Sequence, residues 1–564
     1  MSEARPDAPH GGRIDVLRAA HRRALWIAVA LALATALTVV FSMRHTSVTF
    51  DETFMIPSGA RGYDVGRFDM TLDHPPVTQY LYGLPVHLDG ARAPEEAPGR
   101  WGMHNRFTYG TEFLFESGND PERVVFLARL MAAAMAGLLV LVVFRITAGI
   151  AGRAAALVAA FLVAFLPDVL AHGGIAYNDV PLALAFLAAL WAIDAAARRP
   201  SLPRTAGAAA LVGLALGVKF SALALAPAVV LILAMEGWIR RGDRRWWLAV
   251  GRGVAVGAVV LYATLVLVYL GDFTLADFRW GITSNIAHAS QGHGVPAFLL
   301  GEGSLTGFWY FYPVVFFLKT PVALHVLAAI AVIGALAAPR LPNDRLRRWL
   351  TSPLRPIVIG ALVFLAFLLK ANLNIGFRHA MPLLPLVCIL VAVGVVRAMR
   401  WVPRLRPWIA LLLLVHALET LSFYPHFLTF TSAYAPDRDA AGDLFVDSTL
   451  DWGQGLLELR EWMERRNVDR IYLSYFGSAL PEGYGIDYVA LRSFFRLSGT
   501  APAFEPRAAS PEWVVISATN RIGSYLPGDP FVEFRQHAPA FVLAHHLYVY
   551  PVASWDTTAS SREP

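Results

Sequence analysis

Long apolar runs separated by short polar intervals recur from residue 24 to about residue 425. They cover 24–43, then about 122–145, 154–170, 180–196, 247–270, 313–338, 356–370, 380–397 and 408–423. Most approach the roughly 20 residues an α-helix needs to cross the hydrocarbon of a bilayer. Segment 206–236 reads in two ways. As one span it sets Arg240, Arg241, Arg244 and Arg245 on the side opposite the other basic clusters, against the positive-inside rule. As two short helices broken near Gly213, Gly217 and Lys219 it keeps them together, and this is the reading adopted. Eleven crossings result, with the N-terminus inside and the C-terminus outside.

The polar intervals divide the rest. Residues 1–23 form a cytoplasmic N-terminus, 24–425 a membrane domain, and 44–121 its first exoplasmic loop. That loop holds two amphipathic pieces, about 53–66 and 75–88, suited to lying in the membrane interface. Composition shifts near residue 437. Segments 443–447, 471–475, 513–517 and 541–551 read as strands, and 453–466 as a helix with Leu456, Leu459 and Met463 on one face. Residues 437–552 are thus expected to form a small exoplasmic α/β domain, with 553–564 a polar, disordered tail. The predicted class is a polytopic α-helical membrane protein with a small C-terminal α/β domain.

Composition supports this class. Of 564 residues 56% are hydrophobic and 16% charged, against about 25% charged in soluble domains. The net charge of +6 implies no nucleic-acid partner, because the arginines sit in short loops between apolar runs. Cys388 is the only cysteine, so no intramolecular disulfide forms. The arginines at 13, 18, 22 and 23 followed by the first apolar run suggest a signal peptide, but the run is long and lacks a small-residue cleavage site. It is read as an uncleaved span.

Candidate chemistry gathers on the predicted outer side. The chain has three lysines, Lys219, Lys319 and Lys370, and all fall at outer ends of spans, as an anionic ligand there would require. Around them stand Asp51 and Glu52, Asp73 and His74, His172, Asn178 and Asp179, His288 and His293, and Arg378 and His379. Glycine-rich nucleotide loops and zinc spacings are absent. Carboxylates at such a boundary act as general bases or orient an acceptor, and Lys or Arg hold phosphate. The same residues have plainer uses: Asp51 and Glu52 as caps of the next helix, His74 as a turn residue, Lys219 as a helix-end cation and Lys319 as a snorkelling one. A transporter or flippase of an anionic or lipid-linked substrate also fits.

The order of motifs resembles the polyprenyl-phosphate-dependent glycosyltransferases of the GT-C fold, in particular bacterial relatives of protein O-mannosyltransferases and lipid A aminoarabinose transferases. The resemblance covers residues 24 to about 425. It rests on Asp51-Glu52 after the first span, Asp73-His74-Pro75-Pro76, Tyr177-Asn178-Asp179 and the stretch from Gly213 to Ser221. Further along come Trp309 to Tyr312, Phe317 to Pro321, and Asn374 to His379 with Pro382 and Pro385. The stretch Asp447 to Gln454 resembles the exoplasmic extension of bacterial members.

The resemblance implies an inverting transfer of a sugar from a polyprenyl-phosphate donor to a hydroxyl acceptor on protein, lipid or glycan, at the exoplasmic face of a bacterial inner membrane. It implies Asp51 as base, with Glu52 and Asp179 as further catalytic carboxylates. Lys219, Lys319 and Arg378 become candidates for the donor phosphate, and His74, Asn178, Tyr312 and His379 for substrate contacts. Asp51, Glu52 and Asp179 together offer oxygens to a divalent ion, but the expectation is no metal and no other cofactor. Asp451 and Trp452 are expected to serve packing or docking of the C-terminal domain.

Overall fold

A computed structural model describes residues 10–96, 99–292, 294–337, 349–435, 437–495 and 511–552. The predicted tail, His293 and the arginines at 340, 345, 347 and 348 lie outside the described residues. Helices occupy all eleven predicted span positions. Six are long and apolar enough to cross a bilayer: Arg22–His45, Pro121–Ala151, Asp179–Arg198, Phe220–Ile239, Arg244–Val268 and Leu383–Trp401. Two positions hold bent pairs, Arg153–Ala164 with Pro167–Gly173 at 59° and Phe311–Lys319 with Val322–Leu336 at 111°. Shorter helices, Leu202–Val218, Arg355–Lys370 and Arg406–Leu421, fill the other three.

The bends have a local cause. Proline lacks an N–H and pushes the residue before it out of helical geometry. Leu166 before Pro167 and Thr320 before Pro321 are both extended, with ψ of 126° and 147°. The break in 206–236 falls at Lys219, whose backbone is extended, rather than at Gly213 and Gly217. Those two glycines lie inside the preceding helix and face Thr264 and Val268.

The two amphipathic pieces of the first loop form helices that pack on each other. Helix Glu52–Val65 is buried from Glu52 to Gly62, packed against helix Val77–Leu88 and a short helix, Arg106–Thr111. Its buried charges are paired within the protein, Glu52 with Arg129 and Arg61 with Asp69 and Glu96, and the C-terminal domain meets it at Thr53 through Ser478. At the crossing with the short helix, a Cβ on Gly110 would stand 1.7 Å from the Thr53 carbonyl oxygen. Gly110→Ala is therefore expected to cost about 1–3 kcal/mol or more through forced separation of the helices. Thermal unfolding in detergent reads this as a lowered midpoint, and an unchanged midpoint would show that the crossing can open freely.

The C-terminal domain carries a five-stranded mixed sheet in the order Tyr488–Ala490, Ile471–Ser474, Trp513–Ser517, Leu547–Pro551, Phe541–Leu543. The first three strands run parallel and the last two pair antiparallel. Helix Leu456–Arg466 buries Leu456, Leu459, Trp462 and Met463. Two strand expectations change. Segment 443–447 contributes only turns and 3-10 helix, and 541–551 folds back as two strands around Ala544 and His545, both at positive φ.

Backbone hydrogen bonds join this domain to the first loop: Ser47 N–H donates to the Gln454 carbonyl (3.0 Å) and Phe50 N–H to that of Trp452 (2.8 Å). The two segments must therefore lie on one side of the membrane, which requires an even number of crossings between them. Eleven spans leave ten between, which satisfies the requirement. Six or eight spans would leave five or seven, which does not. The total must therefore be odd, as seven or eleven are.

Candidate functional site

The residues that open onto the main cavity come from segments spread between Phe50 and Tyr525, brought together where the bundle meets the C-terminal domain. The cavity measures about 410 Å³, within the ~300–1,000 Å³ typical of small-molecule sites. Asp51 sits at the head of helix Glu52–Val65 but makes no capping hydrogen bond, so a capping role does not account for it. Its carboxylate instead accepts from Arg378 at 3.3 Å and remains partly exposed to the cavity.

Arg378 is aimed by its neighbours. The chain before it is extended at Gly376, where any Cβ would lie 2.1 Å from Ser448 Oγ. That absence lets Ser448 approach and accept from Arg378 Nε at 3.0 Å. The guanidinium lies 4.1 Å from the Trp452 ring centre and 4.9 Å from that of Tyr177. Burial disfavours its charge, but Tyr177, Asp51 and Asp179 outweigh burial and raise its pKa further. Behind it Asp179 stands 4.0 Å away and pairs with Lys219 at 2.5 Å. Asp51, Arg378, Asp179 and Lys219 thus form a line of alternating charge. Lys219 reaches it because its extended backbone ends one helix and turns the side chain inward.

A second polar group faces this line. Asp73 accepts from Arg106 at 2.6 Å. Burial opposes its charge, yet His74 and Arg106 hold its carboxyl below the usual range. His74 is buried, which pushes its own pKa down despite Asp73. It is fixed between Tyr177 (3.3 Å) and Asn178 (3.4 Å). His74 does close a turn, its N–H donating to the Thr71 carbonyl at 2.8 Å, and the imidazole still lines the cavity.

The roof is the C-terminal domain. Trp452, Phe476, Phe494, Phe495, Tyr525 and Asp447 all line the cavity. Ser478 Oγ donates to the Phe50 carbonyl at 2.6 Å and shares a hydrogen bond with Thr53 at 2.7 Å. Asp51 is therefore held from both sides: its helix by the bundle, its preceding residue by the domain.

Of the predicted site residues, Asp51, His74, Lys219, Arg378 and His379 line the cavity, and so does His288. Asp179 and Asn178 stand directly behind them. Three others are placed elsewhere. Glu52 is fully buried, and its oxygens accept from Arg129 (2.8 and 2.6 Å), Thr49 (2.9 Å from each donor) and Ala176 N–H (2.7 Å). Its acceptor capacity is spent on tying the first loop to helix Pro121–Ala151, so it does not face substrate. Lys319 is turned inward at the Pro321 bend and donates to the Leu428 carbonyl at 2.7 Å, away from the cavity. Tyr312 donates to the Leu373 carbonyl at 2.7 Å and supports the loop before Arg378. His172 packs 6.1 Å from the Trp452 ring without lining the cavity.

Arg106, Phe476, Phe494, Phe495 and Tyr525 carried no motif, and Asp447 opened the stretch that resembles the exoplasmic extension without a role of its own. Trp452 does dock the domain, as expected, and it also stacks on Arg378. Asp451 beneath it is buried; Thr519 N–H donates to it at 3.0 Å. Burial raises its pKa to about 7.

The three carboxylates raised as metal oxygens do not converge: Glu52 is held by Arg129, Asp179 by Lys219, and only Asp51 opens to the cavity. Among the described residues no group of three His, Cys, Asp or Glu is disposed to hold a metal ion.

Residues 122–269 match the family model described as dolichyl-phosphate-mannose-protein mannosyltransferase. No curated protein matches the chain in sequence. Among solved structures, ArnT from Cupriavidus metallidurans in the apo state is 14% identical, with 95% of this chain and 99% of that chain covered and a TM-score of 0.47. The same protein bound to undecaprenyl phosphate gives 14%, 93%, 97% and 0.46. The apo Archaeoglobus fulgidus oligosaccharyltransferase gives 15% identity, 69% and 52% coverage and 0.42. At TM-scores below 0.5 these likenesses carry no conclusion about the chemistry of this chain. The family match falls on the segment that carries Arg129, Tyr177, Asp179 and Lys219, about a quarter of the chain, and over that segment the chain is similar to the dolichyl-phosphate-mannose-protein mannosyltransferases.

Proposed function

We propose that the chain transfers a sugar from a polyprenyl-phosphate donor to a hydroxyl acceptor, with inversion, on the exoplasmic side of a bacterial inner membrane. The observation that carries this reading is the Asp51–Arg378 pair at the cavity wall, backed by Asp179 and Lys219. The acceptor oxygen attacks the anomeric carbon as the bond from that carbon to the phosphate oxygen breaks. The bonding electrons leave with the polyprenyl phosphate, and the acceptor proton passes to Asp51. A carboxylate is a weak base for a hydroxyl, so proton transfer comes late, when the attacking oxygen has become acidic.

Arg378 and Lys219 neutralise the departing phosphate. Arg378 has a second effect. While it holds Asp51 it occupies that carboxylate, and a phosphate that draws the guanidinium away frees the carboxylate to take the acceptor proton. Donor binding therefore precedes activation. Basic loops on the opposite side of the bundle support an exoplasmic site by the positive-inside rule.

The test incubates purified protein with a panel of polyprenyl-phosphate sugars and identifies which is consumed, and to what configuration. Consumption of none, or transfer with retention, overturns the reading. We also propose that no divalent ion takes part, since the carboxylates are already committed to cations. Turnover is expected to be unchanged by EDTA, and a loss restored by magnesium or manganese would refute it.

A further inference from the structure

The roof of the cavity has a composition that phosphate handling does not explain. Phe50, the residue before Asp51, stacks on Phe476 (5.6 Å between ring centres, 29°) and Phe494 (6.4 Å, 28°), and meets Phe495 at 5.1 Å and Phe107 at 5.5 Å. Tyr525 closes the group, 5.2 Å from Phe494 and 5.9 Å from Phe476. All six rings line the cavity.

Set into this apolar wall is one acid. Asp447 accepts from the Tyr525 hydroxyl at 2.5 Å and from Ser448 N–H. Two of these wall residues, Asp447 and Phe495, have positive φ, 55° and 81°. A bulky residue in that region is strained, and such strain clusters where a binding geometry is imposed.

Aromatic faces beside a carboxylate match the chemistry of a sugar ring. A pyranose presents patches of C–H bonds that pack on π-faces, while its vicinal hydroxyls donate to carboxylate oxygens. An isoprenoid chain would use the rings but leave Asp447 facing hydrocarbon, which is costly. A peptide would seek backbone partners, and this wall offers side-chain rings.

We infer that this wall is an acceptor subsite that holds a carbohydrate ring, so that the hydroxyl receiving the transferred sugar belongs to a glycan or glycolipid. The inference rests on the transferase reading and deepens it. The wall is built around Phe50, on the Asp51 side of the cavity, whereas Lys219 and Asp179 lie against Tyr177. In an inverting transfer the base and acceptor stand on the face of the anomeric carbon opposite the leaving phosphate. The wall therefore belongs to the acceptor.

Binding tests this without turnover. Full-length protein in nanodiscs is examined by saturation-transfer difference NMR with a panel of methyl hexopyranosides and, separately, a threonine-rich peptide. Ring-proton signals are expected from at least one glycoside, reduced at least fivefold in Phe494→Leu, which keeps apolar bulk without the π-face, and in Asp447→Asn. The two variants guard each other against misfolding, and a wild-type melting midpoint qualifies each. No glycoside signal, equal signal in both folded variants, or binding of the peptide alone overturns the subsite. Displacement of the glycoside by a polyprenyl-phosphate sugar but not by the bare polyprenyl phosphate would assign the wall to the donor sugar, and that too overturns it. Donor consumption measured in parallel judges the transferase reading separately.

Discussion

Asp51→Asn is expected to lower transfer by about 10²–10⁴-fold, the range for loss of a general base, while the protein folds and binds donor. Folding is spared because Asp51 makes no capping bond and its side chain is partly open to the cavity. Donor affinity has a direction of its own. Asp51 competes with the donor phosphate for Arg378, so neutralising it should hold donor affinity constant or tighten it, never weaken it. Single-turnover assays and donor titration separate the two. Near-normal turnover would remove Asp51 as the base, and weakened donor binding would contradict the competition between carboxylate and phosphate.

Arg378→Ala is expected to raise the donor dissociation constant by about 10–150-fold, the equivalent of ~1.5–3 kcal/mol for a hydrogen bond to a charged group. Acceptor affinity should move much less. Arg378→Lys restores the charge but not the fork that reaches Ser448 and lies over Trp452, so it should recover only part of the loss. Donor affinity unchanged in both variants would show that the phosphate is held elsewhere, with Lys219 the next candidate. Asp179 keeps its Lys219 partner in either variant, which limits the damage to folding.

The membrane bundle was legible because an apolar run of bilayer length leaves the chain few alternatives to a helix, and basic loops fix its sense. The two helices of the first loop were legible in position but not in setting. They pack on each other and on helices Arg106–Thr111 and Pro121–Ala151, and periodicity does not reveal what covers a face. Asp51, Lys219 and Arg378 converge on one cavity wall because each lies at an outer helix end or break. Glu52 and Lys319 look alike on paper and differ in three dimensions. Arg129 is buried in a run that reads only as a span, yet it claims Glu52. Pro321 ends a helix, and the direction in which Lys319 then turns depends on Leu428. The aromatic roof was illegible for a simpler reason: phenylalanines scattered over 445 positions, from Phe50 to Phe495, become a surface only on folding.

Ser47 and Gly453 are hydrogen-bonded across a separation of 406 residues, and on the proposed function this sets when transfer can first occur. During synthesis the first loop emerges early, but Phe50 and Asp51 have no roof until the last domain has been translocated and folded. Closing so long a loop early would bring no stabilising contacts to offset its entropy. On the proposed function, a chain arrested before the C-terminal domain would carry Lys219 and Arg378 beside an Asp51 that lacks its roof. On that reading transfer waits for the C-terminal domain to fold, and a product truncated before residue 437 should remain inert in a membrane that supplies a polyprenyl-phosphate donor.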